Sequence, residues 1–379
     1  MQETLPRSEE LPLLGKLGWK EATALVGPRR AGKSTLARRL LAAWRAKGGV
    51  GGYLDLEAVG APPTVQGLAE FAAGIPAKGL LVLDEVQEAK GWEKFVRQEV
   101  EYERHHVLVT GSNASLLSTE IASSLGGRAI PRKVLPLSYD DARHWGCKSL
   151  GEYLRVGGYP ECVLRPGDAV DLHKLYFEST ILRDVAARKG IREIKPLSDL
   201  ALLLLSETGK VISSKKTAQR LGISQTTMRS FEGALCDAML LIRVLPYKRS
   251  PRERLVADAK HYAIDTGLQA SVSISESEDE GRRLENLVAI ELYRRGYEVS
   301  YYGSARECDF IVNKTGEAPL AVQVCAAKEM PQREVEGLTE GMKATGAKGL
   351  LLTAEETDAK LPKGARNKTL GSWLLEKSG

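Results

Sequence analysis

Residues 27–35 read Gly27-Pro28-Arg29-Arg30-Ala31-Gly32-Lys33-Ser34-Thr35. An apolar run at 21–26 precedes this stretch, and Leu36, Leu40 and Trp44 follow it at helical spacing. A glycine-rich turn between a strand and a helix points backbone N–H groups and the positive end of the helix dipole toward phosphate oxygens. The pattern therefore predicts a phosphate-binding loop in an α/β fold.

Two side chains of this loop have specific predicted roles. Lys33 should reach the β- and γ-phosphates of ATP, and the Ser34 hydroxyl should coordinate Mg²⁺. Arg29 and Arg30 can be phosphate contacts or simply solvated loop charges. We expect the whole stretch quoted above to line the nucleotide.

A second apolar run, at 79–83, ends directly in Asp84 and Glu85. In an open α/β sheet the carboxyl ends of the strands carry the ligand-binding residues, so both carboxylates should lie beside the phosphate loop. Asp84 would hold the magnesium ion through water, and Glu85 would orient or deprotonate the attacking water. These residues predict ATP hydrolysis.

A third apolar run, at 106–110, leads to Ser112 and Asn113 at the same edge of the sheet. A polar side chain there is expected to sense the γ-phosphate. The alternative is that one of them only caps the following helix.

Composition limits the class of protein. With 379 residues, 43% hydrophobic and 27% charged, the chain is expected to be a soluble globular protein of two or three domains. Its longest apolar stretch, 201–205, is too short to cross a bilayer. The first ten residues lack a basic start and an apolar core, so we expect no secretory signal and a cytoplasmic location. Five scattered cysteines are expected to be reduced thiols.

The middle of the chain has the spacing of a helix-turn-helix. An apolar helix is expected at 197–207 and a short amphipathic helix at 215–221, and Ser224 is placed to cap a second helix at 225–235. The start of such a second helix faces the major groove of DNA. The residues predicted to face the groove are Gln225, Thr226 and Arg229.

Positive charge is concentrated in the same region. Residues 207–260 contain eleven Lys or Arg and five Asp or Glu, an excess of six, whereas the whole chain carries a net charge of +5. The stretch 247–254 is predicted to be a basic wing between two strands, in which Lys248, Arg249 and Arg252 contact phosphates. DNA is therefore the expected partner. The alternative is a winged helix that packs its basic face on the ATPase domain.

Several short motifs follow one another along the chain: GPRRAGKSTL, LDEVQ, TGSNASLL, GGYP, ILRD and KHYAIDTGL. Together they resemble the prokaryotic AAA+ ATPase family that carries a C-terminal domain of uncharacterised function. By this resemblance Arg128 is an arginine finger or sensor, and a finger implies a homo-oligomer; otherwise Arg128 is a strand-edge charge. Arg7 matches an arginine that can lie beside the base or ribose.

The C-terminal part follows an acidic, Ser-rich linker at 271–280 and should form a separate small α/β unit. It resembles the restriction-endonuclease-like fold, in which a helical glutamate, a strand aspartate and a Glu-x-Lys pair gather metal ions. Glu285 and Asp309 match the first two positions, but Gln323 and Cys325 replace the Glu-x-Lys pair. Without that carboxylate and that lysine, we expect a remnant rather than an active nuclease.

These observations divide the chain into four expected parts. They are a P-loop ATPase core at 1–135, a helical lid at 136–195, a winged helix at 196–258 and a nuclease-like domain at 259–379. The favoured function is ATP hydrolysis coupled to action on DNA. The alternatives are an ATP-switched scaffold or protein-remodelling ATPase, and an ATP-dependent nuclease.

Overall fold

The computed structural model describes residues 5–58, 64–112, 125–248, 250–273, 280–303, 306–327 and 329–376. The chain forms two compact units. The first comprises Met1–Leu137 with Asp237–Met239, and the second comprises Ser138–Cys236 with Leu240–Gly379. Within the described residues, no helix combines the length and the apolar character needed to cross a membrane.

The first unit is built on a parallel sheet of five strands in the order β2-β3-β4-β1-β5. The strands are Ala22–Val26 (β1), Gly51–Asp55 (β2), Leu80–Asp84 (β3), His106–Gly111 (β4) and Ala129–Lys133 (β5). The helices are Glu10–Leu14 (α1), Lys33–Ala46 (α2), Val65–Ala73 (α3) and Trp92–Glu101 (α4), with a 3₁₀ turn at Val86–Glu88.

Apolar clusters cover both faces of this sheet. Alternate residues of β3 point to opposite sides, so that Leu81 packs in the cluster that contains Phe95 of α4, whereas Val82 packs in the cluster that contains Leu36 and Leu40 of α2. A parallel sheet buried on both faces reads as continuous apolar runs, which is why its strands are visible in the sequence.

The strand order places a crevice at the carboxyl end of β1. The chain leaves β1 through α2 for the far edge of the sheet, and β1 lies between β4 and β5. Ligands of open α/β sheets bind outside the carboxyl ends of strands where the order reverses in this way. The fold thus brings the ends of β1, β3 and β4 to one edge.

The second unit contains twelve helices within its described residues. They are Tyr139–His144 (α5), Leu150–Val156 (α6), Pro160–Leu164 (α7), Ala169–Ser179 (α8), Ile194–Ser206 (α9), Ser214–Arg220 (α10), Gln225–Asp237 (α11), Pro251–Val256 (α12), Thr266–Val272 (α13), Glu280–Arg294 (α14), Gln332–Thr345 (α15) and Leu370–Leu374 (α16). A π-helical segment, Thr180–Ala187, extends α8. The helices expected to form a lid on the ATPase core belong to this second unit.

Eight strands of the second unit form one sheet in the order β13-β12-β11-β10-β9-β7-β8-β6. They are Val211–Ile212 (β6), Leu241–Pro246 (β7), Ala259–Ala263 (β8), Glu298–Gly303 (β9), Glu307–Asn313 (β10), Leu320–Cys325 (β11), Lys348–Thr353 (β12) and Ala365–Thr369 (β13). The structure differs here from the expected separate C-terminal unit, because β7 pairs in parallel with β9. The predicted boundary at 258 falls between strands of this one sheet.

The region of the predicted helix-turn-helix has the order α9-β6-α10-α11-β7-α12-β8, and β8 pairs antiparallel with both β6 and β7. Ser224 caps α11 as expected, since its Oγ accepts a hydrogen bond of 2.9 Å from the Thr227 N–H. The predicted wing at 247–254 is partly helical instead. Ser250 Oγ accepts a 3.5 Å hydrogen bond from the Glu253 N–H and so starts α12.

Two of the short sequence motifs named above, GGYP and KHYAIDTGL, are in contact inside the second unit. Gly157 has a φ of 76°, and a Cβ at this position would lie 2.1 Å from Asp265 Oδ1. Asp265 accepts hydrogen bonds from the N–H groups of Gly158, at 2.6 Å, and Leu268, at 2.8 Å. The fully buried His173 places Nε2 3.4 Å from the same carboxylate. The motifs GGYP and KHYAIDTGL therefore hold the helices after residue 138 to the end of β8.

Candidate functional site

The stretch 27–35 forms a tight loop between β1 and α2. Gly32 has a φ of 94° and Arg30 a φ of 66°, both in the left-handed region. A Cβ on Gly27 would lie 1.9 Å from the Val134 carbonyl oxygen, so only glycine fits where the loop leaves β1. Because the residue before α2 is a glycine, no side chain at that position competes for the first N–H groups of the helix.

Lys33 is buried at the start of α2 with 3% of its surface exposed. Its Nζ donates a 3.0 Å hydrogen bond to the Pro28 carbonyl and lies 3.8 Å from Glu85 Oε1. The ammonium thus lies between a carbonyl of the loop and the carboxylate of the residue that follows β3. Ser34 and Thr35 are partly exposed in the first turn of the same helix.

Asp84 ends β3 and is held by two hydroxyl groups. The Thr110 hydroxyl donates to Asp84 Oδ1, and the Tyr53 hydroxyl donates to Oδ2. Burial and the hydrogen bond to Asp84 raise the pKa of Tyr53 above its usual value, so the phenol remains a donor. Neither Tyr53 nor Thr110 was predicted as a site residue, although Thr110 ends an expected strand.

Glu85 follows with an unusual backbone. Its φ of 52° is uncommon for a residue other than glycine and is sustained by contacts on both sides. The Glu85 N–H donates a 2.9 Å hydrogen bond to Thr110 Oγ1, and Gln87 Nε2 donates a 2.6 Å hydrogen bond to Glu85 Oε2. The carboxylate is therefore held in one orientation at the edge of the sheet.

The third expected element reaches the same edge. Ser112 follows β4 and is buried, and the Gly27 N–H donates a 3.4 Å hydrogen bond to the Gly111 carbonyl. Asn113 lies outside the described residues. Arg29 is 3.4 Å from Glu57 Oε1, the geometry of a loop ion pair, and Arg30 is exposed.

Arg7 supports the loop from behind. It is buried and donates hydrogen bonds to the carbonyls of Ala31, at 2.6 Å, and Leu135, at 2.7 Å. We expected this arginine beside a base or ribose, but its guanidinium is engaged with backbone carbonyls on two sides. It fixes the loop rather than facing the crevice.

Arg128 lies away from this site. Its carbonyl accepts a 2.9 Å hydrogen bond from the Ala22 N–H at the amino end of β1, whereas the phosphate loop begins at the carboxyl end. A strand of this length spans roughly 16 Å. The Arg128 side chain is ion-paired with Glu101. The structure therefore does not bring Arg128 to the loop of its own chain.

The residues expected to contact DNA are spread over α11 and the segment after β7. Gln225, Thr226, Lys248 and Arg252 are exposed. Arg229 is partly exposed and donates a 3.3 Å hydrogen bond to the Val256 carbonyl, which ties α11 to the end of α12. Arg249 lies outside the described residues.

The residues of the expected nuclease remnant come together in the second unit. Asp309 Oδ2 accepts a 2.8 Å hydrogen bond from the Val324 N–H, and the Asp309 N–H donates a 3.3 Å hydrogen bond to Gln323 Oε1. Gln323 Nε2 donates a 2.7 Å hydrogen bond to Glu334 Oε2. Both ends of the Gln323 amide are thus engaged within the protein.

A lysine that sequence reasoning did not select joins Glu285. Lys260 of β8 is 2% exposed, and its Nζ lies 3.2 Å from Glu285 Oε1 and pairs with Glu307 as well. Burial alone would lower the pKa of Lys260, but the carboxylates of Glu285, Asp309 and Glu307 raise it overall. Burial, together with the charge of Glu285, raises the pKa of Asp309 well above its usual value. Among the described residues, no group of three metal-binding side chains is arranged to hold a metal ion.

Comparison with known proteins identifies the first unit. The AAA domain family matches residues 20–142, which include the loop and both carboxylates. An uncharacterised protein of Haemophilus influenzae is 32% identical over 272 residues, which are 67% of each chain. The chain belongs to this prokaryotic AAA+ family. The predicted AAA+ family is thus confirmed, and the match supports nucleotide binding by the AAA domain.

Other matches extend the comparison of this AAA+ chain. A domain of unknown function (DUF8612) matches residues 147–279 and so includes β8, beyond the predicted boundary at 258. An uncharacterised protein of Methanocaldococcus jannaschii is 31% identical over 71% of this chain and 66% of its own length. The chain thus spans about two thirds of the length of these relatives.

Among solved structures, the replication initiator DnaA bound to AMPPCP and single-stranded DNA aligns with 60% of this chain and 85% of its own. The identity is 14% and the TM-score is 0.32. A superposition this loose carries no inference about function. The winged helix and the nuclease-like domain remain predictions.

Proposed function

We propose that this AAA+ protein hydrolyses ATP with Mg²⁺ and uses the energy to act on DNA. The observation that best supports hydrolysis is the meeting of Lys33, Asp84 and Glu85 at one edge of the parallel sheet. A cation for phosphate, a carboxylate for a metal ion and a carboxylate for water are the groups that phosphoryl transfer to water requires.

Each group has a distinct proposed task. Lys33 and the N–H groups of the loop contact the phosphates, and Ser34 and Asp84 supply the hard oxygen ligands that suit Mg²⁺. Bound there, the ion would neutralise charge on the phosphate oxygens. When phosphate engages the Lys33 ammonium, Glu85 exchanges its ionic contact for the attacking water. Gln87 keeps the carboxylate in place during this exchange.

The proposed action on DNA is supported by the exposed polar and basic residues on α11 and after β7. Exposed Lys and Arg side chains provide the sequence-independent attraction to phosphate, and the start of α11 offers Gln225 and Thr226 to base edges. The competing proposal, a protein-remodelling or scaffold ATPase, uses the same face to bind protein. DNA is favoured because of the local excess of positive charge.

The deciding experiment is the rate of ATP hydrolysis measured with single-stranded, duplex and branched DNA. We expect at least one form to raise the rate. A rate that no DNA form changes would favour the scaffold or remodelling ATPase, and metal-dependent cleavage of the added DNA would favour the nuclease.

The DNA proposal predicts a specific loss of affinity. Replacing Lys248, Arg249 and Arg252 by glutamate should weaken binding to all DNA sequences alike, because phosphate contacts do not read bases. Each lost phosphate contact should also reduce the slope of log affinity against log salt by about 0.9. Electrophoretic mobility shifts at several salt concentrations measure both quantities.

A matched control for this variant is the reversal of three exposed lysines elsewhere in the second unit, Lys343, Lys360 and Lys363. It changes the net charge by the same amount at a different place. Equal loss of affinity in both triple variants would show that the loss comes from the change in net charge and not from its position. Unchanged affinity in the first variant would show that this segment does not contact DNA.

A second prediction concerns Arg128, which we propose acts on the nucleotide of a neighbouring copy; otherwise it is only a strand-edge charge. Arg128→Ala should keep ATP affinity but lower turnover on the order of a thousandfold, as expected for loss of an arginine finger. Mixing it with Lys33→Ala should restore part of the rate, because each variant supplies the half-site that the other lacks. Arg97→Ala, at an exposed position on α4, is the control. Normal hydrolysis by Arg128→Ala would remove the finger proposal.

A further inference from the structure

Glu285, Glu307 and Asp309, here called the acidic cluster, already contain a cation. The Lys260 ammonium lies 3.2 Å from Glu285 Oε1 and pairs with Glu307. It comes from β8, which lies on the far side of β7 and β9 from β10, the strand that carries both Glu307 and Asp309. Burial of an ammonium costs free energy unless carboxylates pair with it. The ion pairs therefore hold Lys260 and the two glutamates in place.

Two carboxylates of the acidic cluster also have further contacts within the protein. Glu285 Oε1 accepts a 2.6 Å hydrogen bond from the Tyr262 hydroxyl in addition to the lysine contact. A Cβ on Gly209, which has a φ of 78°, would lie 3.2 Å from Glu285 Oε2, so the turn before β6 approaches the second oxygen. On β10, Asp309 Oδ2 accepts a hydrogen bond from the Val324 N–H.

The Gln323 side chain also contacts acidic residues of this region. Its amide accepts from the Asp309 N–H and donates to Glu334, so the side chain joins two acidic residues. A glutamate at this position would place a second carboxylate beside Glu334 and lose the donor. The amide is therefore suited to a cluster whose charge is balanced by lysine and not by a divalent ion.

We propose that Lys260 is the resident cation of the acidic cluster and that it occupies the place of a divalent metal ion. The position is latent: removing the ammonium leaves carboxylate oxygens, the ligands that Mg²⁺ and Mn²⁺ prefer. Through its ion pairs with Glu285 and Glu307, Lys260 of β8 links α14 to the sheet, and this link needs no metal ion. This proposal does not rest on ATP hydrolysis or on DNA binding.

The test is Mn²⁺ binding by the full chain without nucleotide, followed by the electron paramagnetic resonance signal of free Mn²⁺. The wild-type chain and Lys260→Arg should show no binding that depends on Asp309. Lys260→Ala should gain a saturable Mn²⁺ site, and Lys260→Ala combined with Asp309→Asn should lose it again. Circular dichroism establishes that each variant is folded.

A folded Lys260→Ala chain that gains no Mn²⁺ site would overturn the proposal. If Lys260→Ala does not fold, the comparison of wild type with Asp309→Asn decides: equal Mn²⁺ binding supports lysine as the resident cation, whereas binding that Asp309→Asn abolishes in the lysine-containing chain contradicts it. Magnesium titrated against bound Mn²⁺ in Lys260→Ala should compete for the same site.

Discussion

Replacing Glu85 by glutamine should leave ATP affinity nearly unchanged and reduce turnover by about a hundredfold to ten-thousandfold, the usual contribution of a general base. The amide keeps the size of the side chain and can still contact Gln87, but it cannot accept a proton from water. Bound nucleotide measured by fluorescence titration and phosphate release measured in the steady state separate the two quantities.

The companion variant Lys33→Ala should fail at the earlier step. It removes the ammonium that would contact phosphate before any bond breaks, so ATP affinity itself should fall. Two controls match these changes in chemistry: Glu88→Gln on the 3₁₀ turn and Lys47→Ala after α2, both at exposed positions. Parental affinity and parental turnover in both site variants would contradict the assignment of the site.

Gly157→Ala should strongly destabilise the second unit. Its φ of 76° and ψ of −170° belong to a region that residues with a side chain rarely adopt, at a cost of about 1–3 kcal/mol. The added methyl group would also meet Asp265 at 2.1 Å, and such crowding in a packed interior costs about 1–3 kcal/mol more. Together these are a large part of the stability of a typical domain. Urea unfolding followed by circular dichroism measures the loss.

The control substitution is in α6, the helix that ends just before Gly157. Gly151 lies in α6, is exposed, and a Cβ there would find its nearest neighbour at 3.9 Å. Gly151→Ala should therefore stabilise the chain, by about 0.5–1 kcal/mol, because alanine is the better helix former. Equal effects of the two substitutions would show that the close approach to Asp265 does not determine stability.

The elements that could be predicted from the sequence are those with a strong local pattern. The apolar runs noted at 79–83 and 106–110 are the strands Leu80–Asp84 and His106–Gly111, and the helix expected at 225–235 is Gln225–Asp237. In each case the residues that define the element lie within one short window, so their periodicity is visible without knowledge of the fold.

Contacts between distant parts of the chain could not be predicted in this way. Lys260 and Glu285 are 25 residues apart, and Arg7 reaches Leu135 across 128 residues. The parallel pairing of β7 with β9 likewise could not be read from the sequence, because the apolar pattern of a strand does not depend on which strand lies beside it. The roles of Tyr53 and Lys260 depend on such pairings.

The parallel pairing of β7 with β9 also determines how the chain can be divided. A break at residue 258 would strip β8 from one side of β7 and β9 from the other, which leaves unpaired N–H and C=O groups on both edges of the strand. Unpaired edges of this kind recruit strands from other molecules and promote aggregation. We therefore expect the two halves produced by a break at that position to be prone to aggregation. The region of the predicted helix-turn-helix and the acidic cluster are therefore expected to be inherited as one piece rather than exchanged as separate modules.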